Sequence, residues 1–274
     1  MDTKTFPLDG PINLQGRIGH GSFTITAQDG LTAATVTLVP RTKSNSTESD
    51  LLERTVVELR GPTLVVETPR QGGIFDIALL GGRPRQRDAV DITVTVPSGT
   101  AVKLSAFTAD ITVTGRSGSA DIAFGSSTMT LEHVDGDLRL RYGTGTARVG
   151  RVSGSVEARS GSGDAYFGDI GGSLTSACGS GDLEVTSVHG SVRTRAGSGA
   201  ASLAAVYGDV DLASGSGALA IGLPAGRAAR LDVTTGSGRV NSELPVEDAP
   251  TTKGKPITVR ARTGSGDVRL FRAA

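Results

Sequence analysis

The sequence predicts an all-β protein built mainly as a short-coil parallel β-solenoid (β-helix), in which successive turns of the chain stack on one another. Three observations predict this fold class. A glycine motif returns every 18 residues, apolar residues occupy fixed offsets within the repeat, and no helical periodicity separates the repeats. We therefore expect coils of 18 residues, wound in the right-handed sense.

Two sets of glycines share the 18-residue period across the regular repeats, residues 107–221. Glycine is the residue that best tolerates tight backbone turns, so we predict a structural turn at every member of both sets and two corners in each coil. The first set opens the repeats and comprises Gly125, Gly143, Gly161, Gly179, Gly197 and Gly215. The second set comprises Gly118, Gly136, Gly154, Gly172, Gly190 and Gly208.

The repeat at 179–196, GSGDLEVTSVHGSVRTRA, shows how the strands are placed. Leu183 and Val185 are separated by one polar residue, the alternation typical of a strand with one buried face. Val188 follows Val185 by three residues, an odd number that would turn it outward in a straight strand. The chain must therefore bend to keep Val188 inside. Val192 then begins a second alternating strand. Each coil therefore supplies two short strands, and equivalent residues stack on one another in successive coils.

The rest of the chain is assigned from its pattern of strand-like runs and loops. Residues 1–90 contain strand-like runs between irregular loops and are predicted to form an all-β N-terminal region or cap. Whether this region is a separate domain or the first coils in irregular form is left open. Residues 91–274 form the predicted solenoid domain. Within it, 241–256 is an excursion that covers the open end, and ITVRARTGSGDVRL after it closes the stack as the final coil.

Composition excludes several functional classes. The 274 residues carry 28 basic and 28 acidic side chains, so no overall field draws the protein to nucleic acid. The start of the chain, MDTKTFPLDG, lacks the pattern of a secretory signal, and no apolar stretch reaches the roughly 20 residues of a membrane span. We expect a cytoplasmic protein. The single cysteine, Cys178, has no internal disulfide partner and shares its position in the repeat with small residues.

No constellation of catalytic or metal-binding residues emerges from the repeat. His20, His133 and His189 occupy unrelated offsets, and no serine or cysteine recurs beside them. We therefore predict a non-enzymatic protein without a cofactor.

The recurring GSGD motif calls for a test of calcium, because stacked calcium sites need a carboxylate in coil after coil. Asp164 and Asp182 supply it, but Ala200 and Ala218 replace it in the next coils. Calcium is therefore disfavoured, and the aspartates are predicted to bond nearby backbone amides of the turns. The full set of acids at this offset is Asp110, Asp164, Asp182 and Asp267, against Thr128, Thr146, Ala200 and Ala218.

Two outward faces are candidates for an interaction surface. The outward positions of the second strand carry the arginines Arg139, Arg141, Arg159, Arg193 and Arg195. They form either a solvated face with charge ladders or an arginine patch that grips an anionic ligand or partner. The other face, around Tyr166, carries small residues and is flat. It is covered by the chain itself, contacts another protein, or stays exposed.

The segments GSGDAYFGDIGGSLTSA, GSGDLEVTSVHGSVRTR and TGSGDVRLF resemble the repeats of a bacterial family of unknown function that is labelled putative adhesin. The resemblance covers about the last two thirds of the chain. It implies a β-solenoid and supplies no catalytic residue.

Together these observations predict an interaction or scaffold protein. Its partner is an unidentified protein or a second copy of the chain, since exposed terminal coils permit self-assembly. A carbohydrate-binding or carbohydrate-cleaving β-helix and a cell-surface adhesin are the alternatives.

Overall fold

The computed structural model describes residues 1–41, 52–69, 89–244 and 256–273. Strands make up 70% of these residues and almost none are helical, so the prediction of an all-β chain is confirmed. The chain divides into two compact units, Met1–His133 and Val134–Ala274. Within the described residues, no helix has the length and apolar character needed to cross a bilayer.

The first unit mixes parallel and antiparallel pairing. Its central strand β2 pairs in parallel with β5, β6 and β7, whereas β3 runs antiparallel to β1 and β6, and β4 runs antiparallel to β5. The interior between these strands is filled by β-branched and aromatic side chains such as Phe23, Ile25 and Ile92. The strands are β1 Asp2–Pro7, β2 Asn13–Gln28, β3 Ala33–Pro40, β4 Val56–Arg60, β5 Thr63–Glu67, β6 Ala89–Pro97, β7 Ala101–Ser117 and β8 Ala120–Val134.

The second unit consists of short strands that pair in parallel. The strands are β9 Leu138–Val152, β10 Val156–Ser160, β11 Asp164–Ile170, β12 Leu174–Cys178, β13 Leu183–Val188, β14 Val192–Ala196, β15 Ala201–Val206, β16 Val210–Ser214, β17 Leu219–Leu223, β18 Ala229–Thr235, β19 Val240–Ser242, β20 Ile257–Thr263 and β21 Val268–Arg272. They form two stacks. In the first stack the order is β9, β10, β12, β14, β16, β20, β18. In the second stack the order is β9, β11, β13, β15, β17, β21, β19.

Paired residues between β9 and β17 lie 18 positions apart, as Val156 with Leu174 and Leu183 with Ala201 illustrate. The strands inside the stacks bury alternate side chains, as β12 and β13 illustrate. Phe167 and Ile170 are both buried although they are three residues apart, because the chain bends between them. The predicted right hand of the coil stays a prediction.

The order of the last coils differs from the sequence prediction. The final strands β20 and β21 do not close the stack. They lie inside it, with β16 and β17 on one side and β18 and β19 on the other. The physical reason is the apolar content of the inward positions, since the inserted coil has Ile257 and Leu270 where the outer coil has Ala229 and Ser242. The more apolar segment therefore occupies the position covered on both sides.

The predicted domain boundary near residue 90 stays a prediction. The predicted capping excursion at 241–256 falls mostly on residues 245–255, which lie outside the described residues.

Candidate functional site

The predicted arginines lie together on the outward side of the first stack, where side chains alternate with the buried ones. We call this surface the arginine face. Its first column is Arg139, Glu157, Thr175, Arg193, Asp211, Arg260 and Asp232, and its second is Arg141, Arg159, Ala177, Arg195, Ala213, Arg262 and Thr234. The structure thus adds Arg260 and Arg262 to the predicted set, because the inserted strand β20 continues both columns.

Three acids on the arginine face each hold two arginines. Glu157 accepts from Arg139 Nε at 3.2 Å through Oε2 and lies 3.0 Å from Arg159 Nη2 through Oε1. Asp211 holds Arg193 at 3.6 Å and Arg195 at 2.8 Å, and Asp232 holds Arg260 at 3.9 Å and Arg262 at 3.3 Å. The face therefore contains a charge ladder and also a surplus of arginine. That the arginines grip an anionic ligand or partner stays a prediction.

The surplus is the difference between seven arginines and three carboxylates in these two columns, a formal excess of four positive charges. The guanidinium-bearing side chains are well exposed, from 51% for Arg195 to 69% for Arg193. Surface ion pairs of this kind contribute little to stability, about 0 to 1 kcal/mol each. The three carboxylates therefore leave the face with its formal excess of positive charge.

The pKa of Asp211 is held below its usual value of 3.8, chiefly by the hydrogen bond from Arg195, against a smaller opposing effect of burial. Because the folded-state pKa is lowered, the stabilisation is fully present above pH 3.8 and is lost as the pH falls through the folded-state value. We expect Asp211→Asn to cost up to about 1 kcal/mol near neutral pH, and this cost should shrink below pH 4. Denaturant unfolding of both proteins at several pH values measures it. A difference that stays constant down to the lowest pH would contradict the expectation.

A shallow groove runs beside the second column of the arginine face, across the strands. One depression of about 580 Å³ lies between Arg159 and Arg195, with Ala177 in the gap. A second depression of about 430 Å³ extends it to Arg262. The two depressions share Ala213 and Ser214, so they form one continuous groove with a floor of small residues.

The floor of the groove contains a repeated hydrogen bond at one corner of the coil. Gly217 N–H donates to the hydroxyl of Ser214 at 2.9 Å, and that hydroxyl donates to a carbonyl of the previous coil at 3.2 Å. Thr263 and Thr235 repeat the arrangement. Cys178 takes the same place through its thiol, with Gly181 N–H at 2.9 Å. The cysteine is thus a member of this ladder rather than only a small packed residue.

Ala196 interrupts the ladder, because alanine has no hydroxyl at the equivalent position. We expect Ala196→Ser to raise the free energy of unfolding by about 0.5 to 1.5 kcal/mol, since the new hydroxyl meets the backbone groups equivalent to those that Ser214 bonds in the next coil. Ala177→Ser, at the neighbouring exposed position, is the matched control and should change little. Thermal and denaturant unfolding measure both. Equal effects of the two substitutions would contradict the role of the ladder.

The aspartates of the GSGD motif bond backbone amides, but those of the next coil rather than of their own turn. Asp164 Oδ1 accepts from Asp182 N–H at 3.0 Å, and Asp182 Oδ1 accepts from Ala200 N–H at 2.8 Å. At the other corner, Asp137 accepts from Ser155 N–H at 2.7 Å. Each of these carboxylates is therefore engaged in joining coils. Among the residues that the structure describes, no group of three His, Cys, Asp or Glu side chains is placed to hold a metal ion.

A third set of glycines, which the sequence analysis overlooked, approaches the neighbouring coil most closely. A Cβ added at Gly199 would lie 1.9 Å from the carbonyl oxygen of Gly181, and one at Gly217 would lie 1.8 Å from that of Gly199. None of this set has a positive φ, so close approach and not turn conformation requires glycine. The set is the third residue of each GSG, and its period was visible in the sequence: Gly163, Gly181, Gly199, Gly217, Gly238 and Gly266.

The predicted turn glycines are placed less uniformly than expected. Gly125 and Gly143 lie inside the continuous strands β8 and β9, where the chain stays extended. The other predicted turn positions lie at bends between strands: Gly118, Gly136, Gly154, Gly161, Gly172, Gly179, Gly190, Gly197, Gly208 and Gly215. Several approach the coil before them closely, as for Gly197, whose added Cβ would lie 2.5 Å from Gly179 O.

The flat face on the second stack is placed as predicted around Tyr166. The Arg148 guanidinium lies 5.1 Å from the centre of the Tyr166 ring, a cation–π contact. Thr186 and Ala204 beside it are exposed in the structure. Tyr166 lies on the second stack and the arginines lie on the first, so the predicted site residues divide into two surfaces.

A cluster at the bend of the second stack was not predicted. Ser187 donates to Asp169 Oδ1, and His189 Nε2 lies 3.2 Å from the same oxygen. Arg151 pairs with the other oxygen at 3.2 Å. The pKa of Asp169 is lowered, first by the Ser187 hydrogen bond, against burial, and then by His189. The His189 ring also stacks on Tyr207, with ring centroids 4.9 Å apart.

This cluster is not arranged as a nucleophilic triad. Ser187 and His189 both contact one carboxylate oxygen of Asp169, whereas a triad needs the histidine between the serine and the acid. Arg151, Asp169 and Ser187 occupy one column of the 18-residue repeat, so their alignment was visible in the sequence. His189 joins from an offset two residues beyond Ser187, which the period does not indicate.

Three solved structures illustrate the similarity of this chain to known proteins. A putative adhesin from Bacteroides fragilis NCTC 9343 is 11% identical, with 98% of this chain and 96% of that chain covered and a TM-score of 0.41. A putative lipid binding protein from Parabacteroides distasonis ATCC 8503 is 16% identical, with coverage of 98% and 96% and a TM-score of 0.39. A putative adhesin from Parabacteroides merdae ATCC 43184 is 11% identical, with coverage of 98% and 95% and a TM-score of 0.38.

No curated protein matches the chain. The Toastrack DUF4097 family matches residues 31–273, which is most of the sequence. Its fold is a β-solenoid-like repeat, in agreement with the stacked parallel strands of the second unit. The chain therefore belongs to the Toastrack DUF4097 family, whose function is unknown.

Proposed function

We propose that this protein is a non-enzymatic interaction module that binds an acidic segment of a protein partner through its arginine face. The observation that carries the proposal is the excess of four positive charges on that face. The whole chain is neutral, so the excess is local to one surface. A local field of one sign selects partners of the opposite sign and speeds their encounter.

The chemistry of the arginines supports this role. A guanidinium offers five N–H donors in a planar fork that matches a carboxylate. In the structure, the carboxylates of Glu157, Asp211 and Asp232 hold these forks in place without neutralising them all. Side chains that are already oriented lose less conformational entropy when a ligand arrives. The acids therefore serve to hold the binding groups in position.

Charge reversal on the arginine face tests the function. The triple variant Arg159→Glu, Arg195→Glu, Arg262→Glu should lose every protein that the wild type captures from its own cells. The matched control, Arg148→Glu, Arg239→Glu, Arg269→Glu, changes the net charge equally at other positions of the same unit and should keep them. Unchanged capture by the first variant would overturn the proposal. Unfolding curves verify that both variants are folded.

Other outcomes would favour the alternatives. Binding or cleavage on a glycan panel would favour a carbohydrate-active protein, and recovery at the cell surface after fractionation would favour an adhesin. The proposed location is the cytoplasm, which the same fractionation tests.

Self-association is a second candidate function. Among the described residues, β18 and β19 pair on one side only, and they carry Leu231 and Val240, which are 38% and 48% exposed. Such an edge offers free backbone groups to another strand. If copies join there, the mass in sedimentation should rise with concentration, and Val240→Lys should keep the protein monomeric. A wild-type protein that is monomeric at every concentration would contradict it.

A further inference from the structure

We propose that the groove beside the arginine face binds an acidic peptide in the polyproline II conformation, with a carboxylate at every third residue. This inference rests on the proposed function and adds the conformation and spacing of the partner segment. The groove meant here is the one lined by Arg159, Arg195 and Arg262, with Ala177 and Ala213 between them.

The spacing of the arginines carries the inference. Along the second column, arginine alternates with alanine from Arg159 to Arg262, so successive arginines are two strands apart. Neighbouring strands lie about 4.8 Å apart, which places the arginines about 9.6 Å apart. A polyproline II helix has three residues per turn and rises about 3.1 Å per residue, or about 9.3 Å per turn. Every third side chain of such a helix would face the next arginine.

An extended β-strand does not match this spacing. Its side chains on one face recur every second residue, about 6.7 Å apart, and drift out of register with the arginines after one step. An α-helix rises about 5.4 Å per turn, so two turns span about 10.8 Å and overshoot the interval between arginines by about 1.2 Å at each step. Of the regular peptide conformations, polyproline II alone presents carboxylates at the interval of the groove.

The floor of the groove suits a proline-rich segment. Between the arginines it is formed by Ala177, Ala196 and Ala213, with the backbone of Gly179 and Gly197. Proline rings need apolar contact and offer no N–H donor, and small residues let them approach closely. The hydroxyl of Ser214 and the thiol of Cys178 are already engaged with their own backbone, so the floor demands few hydrogen bonds from the ligand.

Charge complementarity selects the acidic side chains. Arg159 and Arg262 each share one carboxylate with a neighbouring arginine, at 3.0 Å and 3.3 Å, and each is about two thirds exposed. Each guanidinium has five N–H donors, more than its share of one carboxylate can accept. A peptide carboxylate beside each arginine would therefore make a charge-assisted hydrogen bond at the rim of an apolar floor.

The test uses the full-length protein and synthetic peptides of about 12 residues, which span about 37 Å as polyproline II. The first peptide repeats Glu-Pro-Pro, the second has the same composition with all glutamates at one end, and the third replaces glutamate by glutamine. By calorimetry or fluorescence anisotropy we expect the first to bind about tenfold more tightly than the second, and the third not to bind. The triple variant Arg159→Glu, Arg195→Glu, Arg262→Glu should bind none.

A second variant tests the spacing itself. Ala177→Arg together with Ala213→Arg places an arginine on every strand of the column from β9 to β20, so the tenfold preference for the periodic peptide should disappear. If wild-type protein binds both acidic peptides equally, the spacing inference is overturned and the proposed function stands. If neither acidic peptide binds, but capture from cells still depends on the arginine face, only the inferred peptide conformation is overturned and the proposed function stands. Arginine-dependent binding of anionic vesicles or a sulfated glycan in place of both peptides would also overturn it.

Discussion

Replacing Gly199 by alanine is expected to lower the free energy of unfolding by about 3 kcal/mol, among the larger effects of a single methyl group. The added Cβ would lie 1.9 Å from the carbonyl oxygen of Gly181, and that oxygen belongs to the backbone of a paired coil. Backbone cannot rotate aside as a side chain does, so the two coils must separate locally. The substitution therefore strains the stacking itself, at one of the positions where the coils approach most closely.

The measurement is thermal and denaturant unfolding of Gly199→Ala beside the wild type. A loss of this size corresponds to a fall of about 6 to 12 °C in Tm for a protein of this length. Ser198→Ala changes the exposed neighbour and is the control, with an expected effect within about 0.5 kcal/mol. A Gly199→Ala protein as stable as the control would show that the coils are not held as closely as the structure has them.

Replacing Leu203 by alanine is expected to cost about 3 kcal/mol or more, because Leu203 is fully buried between two like residues. It pairs with Val185 in the coil before and with Ile221 in the coil after, so the cavity is bounded on both sides. The side chains around it belong to closely packed coils and have little freedom to collapse into the space.

The matched control is Leu231→Ala in the outer coil. Leu231 is 38% exposed and, within the part of the chain that the structure describes, pairs only with Val259. The same truncation should cost about 1 to 2 kcal/mol there, since Leu231 keeps 38% of its surface in water and so loses less on truncation than a fully buried leucine. Denaturant unfolding of both variants gives the comparison. Equal costs would contradict the order of coils in which β18 is outermost.

The sequence predicted most of the fold because the repeat carries local information. Leu183, Val185 and Val188 face inward at the offsets predicted from their spacing, and the predicted bend lies between the last two. The arginines were likewise placed on one outward face from their positions alone. An alternating strand fixes which side chains share a face, so these assignments need no knowledge of the partner strand.

The candidate site was predictable only in part. The sequence put Arg159 and Arg195 on the same face, but the acid that holds each one depends on side-chain conformations across neighbouring strands. Alternation also puts Arg262 outward, but its place between Ala213 and Thr234 could not be assigned, because its coil was expected at the end of the stack. In the cluster around Asp169, the column of Arg151, Asp169 and Ser187 follows the period, but the contact of His189 with Asp169 does not.

By itself, the sequence determined an all-β chain with two short strands per repeat, an apolar inside and arginine outside, since all of these follow from the alternation of side chains along a strand. Only the tertiary structure decided the order of the last coils. The segments TTGSGRV and RTGSGDV are so alike that either satisfies the local pattern. The coil containing Val259 and Leu270 lies inside because it buries more apolar surface there than the coil containing Leu231 and Val240 would. The resulting order of the last coils places Arg262 beside the groove, and no local sequence pattern specifies that order.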